Sequence, residues 1–241
     1  MATASGEAFV QALLDDLSAR IVLSLSPFTA ALERALDAGI EPQDMGGVGS
    51  APPGFDTTLA AADLTPAMKA ALQAVAPALR WIPVLSQHPS VPPALSAGLQ
   101  AGLVLGGAGA FTHHGPDTIR AGFFHLAPNL HYPLHSHEAV EFYRCLSGRV
   151  EIQHGILGEA NPLLPGQLSV TPPNRVHALT TGPEGALLLF AWIGDVDQPI
   201  YWWEADAAGT WRRTRWIRGV SRVWERQEAE IVPPALLAAQ A

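Results

Sequence analysis

The C-terminal half of the chain consists of short, β-prone runs separated by turn residues. From about residue 117 these runs recur roughly every 8 to 12 residues, with glycine and proline between them. The runs are TIRAGFFHLA, AVEFYRCLSG, VEIQHG, QLSVTPPN and ALLLFAWIG. Evenly spaced short strands with such turns are typical of a sandwich or barrel. The sequence therefore predicts a mainly β domain over residues 111–241.

The first hundred residues have a different pattern, with apolar residues at helical spacing. Residues 7–19 and 27–38 each place several apolar side chains on one helical face. Thr65 followed by Pro66 is typical of a helix start, because a hydroxyl N-cap precedes proline at the first helical position. The apolar positions of the three predicted helices are Phe9, Leu13, Leu14 and Leu17; Phe28, Ala31, Leu32 and Leu36; and Met68, Leu72 and Val75. We therefore predict a helical region over residues 1–110.

Two further segments stand out by composition. Residues 40–58 are rich in glycine and proline, which predicts a loop. The extension after Trp202 is rich in tryptophan and arginine, namely Trp211, Arg212, Arg213, Arg215 and Trp216. These residues could form a nucleic-acid patch, or an edge strand or helix with Trp rings packed under Arg side chains. The acidic balance of the whole chain favours the packing interpretation.

The composition of the chain and its first twenty residues argue against several classes of partner and compartment. A net charge of −8 argues against nucleic acid as the main partner. The single cysteine, Cys145, allows no intramolecular disulfide. No uninterrupted run reaches the roughly 18 apolar residues of a membrane span. The first twenty residues lack the basic region of a secretory signal. We therefore expect a cytoplasmic protein with neither nucleic acid nor a membrane as its partner.

Two histidine-containing segments carry the chemistry. Residues 131–148 read HYPLHSHEAVEFYRCLSG, and residues 166–177 read GQLSVTPPNRVH. Alternate side chains of a strand share a face, so His135, His137 and Glu141 are expected to point the same way. The residue that ends the second segment, His177, arrives from another strand after a rigid Pro-Pro-Asn turn. Three imidazoles and one carboxylate predict a site for one divalent transition metal ion, with Zn, Mn or Fe as candidates.

The same alternation predicts the neighbours of this metal site. Tyr143 and His131 share the odd-numbered parity of the ligands, so both are expected to face the site, His131 as a cavity-lining or hydrogen-bonding residue. Phe142 is expected on the opposite face. Whether a turn breaks this phase between the histidines and the glutamate stays open at this point.

Both histidine segments resemble the two signature motifs of the cupin superfamily. The first motif matches from His135 through Gly148, with Asn129 where a leading glycine is usual. The second matches at Gly166, Pro172 and His177, with Asn174 in a glycine position and without the usual trailing asparagine. The resemblance implies a small cupin-type β-barrel, or jelly roll, in which the four predicted ligands bind the metal.

The run from His131 to His137, followed by Glu141-Phe142-Tyr143, is similar to the cupin-type dimethylsulfoniopropionate lyases. A helical region before the barrel is a further likeness. The resemblance implies a small zwitterionic substrate, cleaved by β-elimination to dimethyl sulfide and acrylate. It implies Tyr143 as the base, and it places Tyr132 near the substrate as the second catalytic candidate. His131 and Trp192 are expected to contact the substrate, and Trp192 is a candidate for the aromatic wall that holds the sulfonium.

Two other functions remain as alternatives. The same ligands could hold Fe(II) in a cupin dioxygenase acting on a small organic acid, or the barrel could bind a small molecule without catalysis. The helical region is expected either to cover one mouth of the barrel or to mediate a homodimer.

Overall fold

The computed structural model describes residues 2–20, 22–43, 50–85, 88–107, 109–115, 118–218 and 224–241. Its α-helices are α1 (Ala2–Ser18), α2 (Ser26–Ala38), α3 (Phe55–Ala61), α4 (Pro66–Val75), α5 (Pro93–Gly98) and α6 (Pro234–Ala238). Two short 3-10 helices cover Leu23–Leu25 and Ala76–Ala78. None of the helices in the described residues is both long and apolar enough to cross a membrane.

In the described part of the chain, thirteen strands form one connected sheet. They are β1 (Ile40–Pro42), β2 (Arg80–Pro83), β3 (Leu99–Leu105), β4 (Phe111–His113), β5 (Ile119–Leu126), β6 (His131–Ser136), β7 (Val140–His154), β8 (Ala160–Leu163), β9 (Leu168–Thr171), β10 (His177–Ile193), β11 (Ile200–Ala205), β12 (Trp211–Arg218) and β13 (Trp224–Ile231). The main path runs β1-β4-β3-β5-β10-β6-β11-β12-β13, with β2 paired to β3 and β7 paired to β8, β9 and β10. The predicted mainly β fold with a preceding helical region is therefore confirmed.

The long strands β7 and β10 form the centre of this sheet. They pair antiparallel along almost their whole length, and the other edge of β10 pairs first with β6 and then with β5. Every strand that carries a predicted ligand is therefore a direct neighbour of β10 or is β10 itself.

The predicted helices lie where their apolar spacing placed them. The buried residues include Phe9, Leu13 and Leu17 in α1, Phe28 and Leu32 in α2, and Met68, Leu72 and Val75 in α4. The side chain of Thr65 accepts a hydrogen bond from the backbone N–H of Met68 at 3.2 Å, as expected of an N-cap.

The N-terminal region is not purely helical. Strands β1, β2 and β3 all precede residue 111, and β3 is paired with β5 inside the main sheet. The segment 40–58, predicted as a loop, contains β1 and the start of α3, while its residues 44–49 lie outside the described part of the chain. The domain boundary at residue 110 stays a prediction.

The helices pack against one face of the sheet. Their apolar side chains share one core with Phe123, Phe142, Leu187 and Leu189. The ring of Phe28 in α2 meets that of Phe142 in β7 edge-on, with centroids 5.2 Å apart. Arg144 is also buried on this face, where it forms an ion pair with Asp16 of α1. The helical region therefore covers the outer wall of the barrel through β7.

The opposite face of the same strands encloses the barrel interior. Its core includes Phe124, Tyr132, Tyr143, Cys145, Phe190, Trp192 and Trp216. Tyr143 and Phe142 thus lie on opposite faces of β7, as strand alternation predicted.

The two asparagines that replace motif glycines have left-handed backbones. Asn129 has φ 55° and Asn174 has φ 59°. Asparagine tolerates this region better than other residues with a side chain, so it can stand where glycine is usual. At Gly148, with φ 74°, a Cβ atom would lie 2.0 Å from the carbonyl oxygen of Gly185, so this motif glycine has no such substitute.

The Trp- and Arg-rich extension forms strands β11 to β13 of the main sheet. The guanidinium of Arg213 lies 4.4 Å from the ring centroid of Tyr201 and 6.0 Å from that of Trp203. Trp203, Trp216 and Trp224 are buried. The packing interpretation, with aromatic rings under arginine side chains, describes this segment.

Candidate metal centre

Three neighbouring strands bring the predicted ligands together. His135 lies near the end of β6 and is the register partner of His177 at the start of β10. His137 directly follows β6, and Glu141 is the second residue of β7. The candidate ligand atoms of the three histidines lie within 4.8 Å of one another, and all three residues are buried. These three histidines can therefore hold a metal ion.

Each histidine is oriented by a backbone carbonyl. The Nδ1 atoms of His135, His137 and His177 lie 2.8, 3.0 and 3.0 Å from the carbonyl oxygens of Pro133, Ala139 and Arg175, respectively. Because a carbonyl only accepts, each Nδ1 carries a hydrogen, so the Nε2 atom of each neutral ring offers the lone pair for a metal. Metal-binding histidines in proteins are held in the same way.

Glu141 completes the cluster with a fully buried carboxylate. Its Oε2 atom lies 3.2 Å from the Nε2 atoms of both His137 and His177. Burial alone would raise the pKa of this carboxyl group, but the close approach of His137 and His177 outweighs burial and holds the pKa well below its ordinary value. Glu141 therefore stays ionised, as a metal ligand must be.

The Nε2 atom of His177 supports the fit to a metal ion. It is buried and has no hydrogen-bond partner among the described residues, although the carboxylate of Glu141 is close. A buried nitrogen lone pair without a donor is costly unless something else binds it. Burial, reinforced by His177 and His137, also lowers the pKa of His135 well below its ordinary value, so this imidazole is neutral and able to bind a metal.

Tyr143 lies beside the carboxylate. Its side chain is buried in the barrel interior on the same face of β7 as Glu141. Burial raises the pKa of Tyr143 well above its usual value, and the charge of Glu141 and a hydrogen bond to it add to the rise. Tyr143 is therefore a neutral phenol whose hydroxyl donates a hydrogen bond to Glu141.

Tyr132 contacts the cluster in a different way. Its ring stacks on that of His135, with centroids 3.9 Å apart and an interplanar angle of 21°. Burial and the charge of Glu141 raise the pKa of Tyr132 as well. The two tyrosines thus approach the cluster from different sides, Tyr143 through the carboxylate and Tyr132 through a histidine ring.

The expectation that His131 faces the site does not match the structure. The register between β6 and β10 shifts between His177 and Leu179, so that His135 pairs with His177 but Tyr132 pairs with Leu179. This irregularity, of the kind a β-bulge produces, reverses the alternation. Tyr132 is buried as a result, while His131 is exposed and lies 2.8 Å from the hydroxyl of Thr180 through its Nδ1 atom.

Trp192 lies next to the candidate ligands and is a hydrogen-bond partner of Glu141. It is the register partner of Glu141 across β10 and β7, and its indole N–H donates a hydrogen bond to the Oε1 atom of Glu141. Its ring centroid lies 4.4 Å from that of His137. Trp192 therefore fixes one carboxylate oxygen and leaves the other facing the histidines. A contact between Trp192 and substrate stays a prediction.

The C-terminal segment supports the cluster in a way the sequence did not suggest. The side chain of Gln240 accepts a hydrogen bond from the backbone N–H of Val176 at 2.8 Å and donates one to the carbonyl of Asn174 at 3.0 Å. The backbone N–H of Asn174 in turn donates to the carbonyl of His137 at 2.8 Å. Gln240 therefore holds the turn before His177, and this turn is tied to His137. Gln240 lies over 60 residues from either motif, so no local pattern marks it.

Comparisons with known proteins identify a family over much of the chain. The family model described as dimethylsulfoniopropionate (DMSP) lyase matches residues 53–189, which is more than half of the chain and includes all four predicted ligands. No curated protein sequence matches the chain.

Solved structures support the fold. The crystal structure of DMSP lyase DddQ from Ruegeria pomeroyi shares 22% identity with a TM-score of 0.54, over 73% of this chain and 92% of that chain. A structure reported with the DMSP lyases RdDddP and RnDddQII shares 24% identity with a TM-score of 0.55, over 81% of this chain and 95% of that chain. A cupin-2 domain protein from Rhodospirillum rubrum is more distant, with 16% identity and a TM-score of 0.38, over 68% of this chain and 81% of that chain.

The extent of the family match decides the classification. It begins in the helical region, continues through strands β6 and β7, which carry two of the predicted ligands, and ends within β10. The chain therefore belongs to the dimethylsulfoniopropionate lyase family of carbon–sulfur lyases.

Proposed function

We propose that this protein is a metal-dependent lyase that cleaves dimethylsulfoniopropionate to dimethyl sulfide and acrylate. The observation that carries the proposal is the buried hydroxyl of Tyr143, hydrogen-bonded to Glu141 at the edge of a three-histidine cluster, in a chain of this family. A phenol beside a site suited to a divalent cation supports the proposal, because such a cation would favour the phenolate form that can accept a proton.

The residues His135, His137, Glu141 and His177 would hold the cation. Three imidazole nitrogens and one carboxylate oxygen suit Zn, Mn or Fe. When bound there, a divalent ion would attract the substrate carboxylate and stabilise the negative charge that builds on it during elimination. The four residues keep their own orientation through the three backbone carbonyls and Trp192.

Tyr143 is the proposed base. Its phenolate oxygen takes the proton from the carbon next to the substrate carboxylate. The electron pair of that C–H bond forms the carbon–carbon double bond, and the C–S bond breaks with its pair on sulfur. Neutral dimethyl sulfide and acrylate result, and the proton on Tyr143 is later lost to solvent.

Tyr143 needs help to act as a base, because burial and Glu141 keep its pKa well above the usual value. A divalent cation held by the histidines and Glu141 would reverse this balance in favour of the phenolate. Tyr132 stacks flat on His135, so its ring is fixed by that contact and is the better candidate for a wall beside the substrate.

We propose that aromatic rings, rather than an acidic side chain, hold the positively charged sulfonium group of the substrate. Tyr132, Trp192 and Trp202 all belong to or pack against the barrel core beside the cluster. Aromatic faces attract a desolvated cation by about 2 kcal/mol or more. The zwitterionic substrate is thus proposed to lie with its carboxylate at the metal ligands and its sulfonium against these rings.

The test is headspace gas chromatography for dimethyl sulfide. Purified protein is supplied with Mn(II), Zn(II) or Fe(II) and the substrate, and a chelator-treated sample is the control. We expect metal-dependent release of dimethyl sulfide with an equal amount of acrylate.

Absence of dimethyl sulfide with every metal, in protein shown to hold metal, would contradict the proposal. Oxygen uptake by the Fe(II)-loaded protein with small organic acids would then test the dioxygenase alternative.

A further inference from the structure

We propose that the barrel contains a second binding site, separate from the metal ligands, for a small organic carboxylate with an apolar body. The site is a cavity of about 260 Å³ lined by Arg80, Arg120 and Arg218 together with apolar side chains. We call it the arginine cavity. Binding in this cavity is separate from the proposed lyase activity and does not depend on it.

The three arginines come from three different strands, β2, β5 and β12. Among the described residues that line the cavity there are three arginines and no acid. Three guanidinium groups around one small space favour a negative ligand, and they repel a positive one. The cavity is therefore unsuited to a sulfonium and suited to an anion.

Arg120 gives the clearest sign of a missing acceptor. Only 4% of this residue is exposed, and its Nε atom is buried without a hydrogen-bond partner among the described residues. Its other nitrogens donate to the carbonyl of Val196 at 3.2 Å and to Asp197 at 3.0 Å. The Asp197 side chain is 74% exposed, so water weakens its pairing with the buried charge. An anion in the cavity would supply the acceptor that Arg120 lacks.

Arg218 is held in place by an aromatic ring. Its guanidinium lies 4.8 Å from the ring centroid of Trp224, and the indole N–H of Trp224 donates to the carbonyl of Val84 at 2.7 Å. A guanidinium stacked on a fixed ring has lost much of its freedom before a ligand arrives, which favours binding.

The remaining wall is apolar, and part of it is aromatic. Phe124 and Phe190 stack with centroids 4.0 Å apart, and both line the cavity with Trp192. The volume lies near the lower end of small-molecule sites, which hold about 300–1,000 Å³. A carboxylate on an apolar group the size of a benzene ring matches the charge, the wall and the volume.

Trp192 separates this cavity from the metal ligands. Arg120, Trp192 and Glu141 are register partners across the adjacent strands β5, β10 and β7. Two strand spacings place the backbones of Arg120 and Glu141 about 10 Å apart. A ligand in the arginine cavity would therefore contact the indole that holds Glu141 without touching the histidines.

Isothermal titration calorimetry on the metal-loaded full chain tests the proposal with benzoate as the probe. Benzamide, a neutral ligand of the same shape, and benzyltrimethylammonium, a cation, are the comparison ligands. We expect benzoate to bind at least about tenfold more tightly than benzamide, since charge-assisted hydrogen bonds are roughly twice as strong as neutral ones. We expect no binding of the cation.

The matched variants are Arg218→Gln, in the cavity, and Arg212→Gln, on the same strand outside it. Arg212 pairs with Asp206 at the surface. We expect Arg218→Gln to weaken benzoate at least about tenfold with unchanged metal content, and Arg212→Gln to leave its affinity unchanged. Equal affinity for benzoate and benzamide, or no effect of Arg218→Gln, would overturn the proposal.

A crystal of the unsubstituted protein grown with 4-bromobenzoate provides a measurement that needs no variant. Anomalous signal from bromine inside the arginine cavity is expected. Bromine at the metal ligands alone, or no bromine in the barrel, would refute the separate site. The dimethyl sulfide assay is an independent readout, so failure of the lyase proposal and failure of this one are distinguishable.

Discussion

The two faces of strand β7 differ in what they contact. The inner face carries Glu141 and Tyr143, whose polar atoms lie in the barrel beside the three histidines. The outer face carries Phe142 and Arg144, which contact α2 and α1. Neighbouring residues in the sequence therefore belong to different parts of the molecule. The inner face should determine metal binding and chemistry, and the outer face should determine stability.

The largest expected effect comes from removing a ligand on the inner side. His177→Ala deletes one imidazole and leaves Glu141 without one of its two histidine neighbours. We expect metal content to fall far below one ion per chain and lyase activity to fall below detection. Metal analysis by mass spectrometry and the dimethyl sulfide assay measure both. Full metal content in this variant would show that His177 is not a ligand.

Tyr143→Phe separates the chemistry from metal binding. The substitution removes only the hydroxyl, so we expect metal content near that of the unsubstituted protein. Activity should fall by about 10²- to 10⁴-fold, the usual contribution of a positioned base. Tyr201→Phe is the matched control, because the ring of Tyr201 lies under Arg213 and packs in a hydrophobic cluster other than that of Tyr143. Unchanged activity in Tyr143→Phe would transfer the role of base to Tyr132.

Phe142→Ala tests the outer face of the same strand. Phe142 is fully buried and packs against Phe28, so its truncation should lower the free energy of unfolding by about 3–5 kcal/mol. Metal content per folded chain should not change. Urea unfolding at a fixed metal concentration measures the first quantity, because bound metal itself stabilises the folded state. Loss of metal without loss of stability would contradict the division between the two faces.

Much of this division could be predicted from the sequence, because it depends on local periodicity. Alternation along β7 placed Glu141 and Tyr143 on one face and Phe142 on the other, and helical spacing identified the buried faces of α1, α2 and α4. These patterns repeat every two or 3.6 residues and need no knowledge of distant contacts.

The predicted alternation of side chains between the two faces of a strand was wrong where the backbone departs from regular geometry. The shifted register of β6 leaves His131 exposed and Tyr132 buried, and a period-two pattern contains no sign of such an irregularity. The ion pair of Arg144 and Asp16, the arrangement of three arginines and the contacts of Gln240 also escaped prediction. Each joins residues that are far apart in sequence, so only the tertiary structure brings them together.

The smallest of these effects is expected at Gln240, which belongs to neither face of β7 but supports the inner cluster from the far end of the chain. Gln240→Ala leaves the backbone N–H of Val176 and the carbonyl of Asn174 without their partner. We expect metal affinity to fall about tenfold, the lower end for residues that orient ligands, and stability to fall by about 1–3 kcal/mol.

Gln240→Glu sharpens this test, because it keeps the oxygen that accepts from Val176 but loses the donor to Asn174. Its metal affinity should lie between those of Gln240→Ala and the unsubstituted protein. Gln11→Ala, an exposed glutamine on α1, is the matched control. Competition with a metal-sensitive dye measures affinity, and thermal unfolding measures stability. If Gln240→Ala lowers stability but leaves metal affinity unchanged, Gln240 only fastens the C-terminal segment, and the geometry of His177 is set by β10 and the Pro-Pro-Asn turn alone.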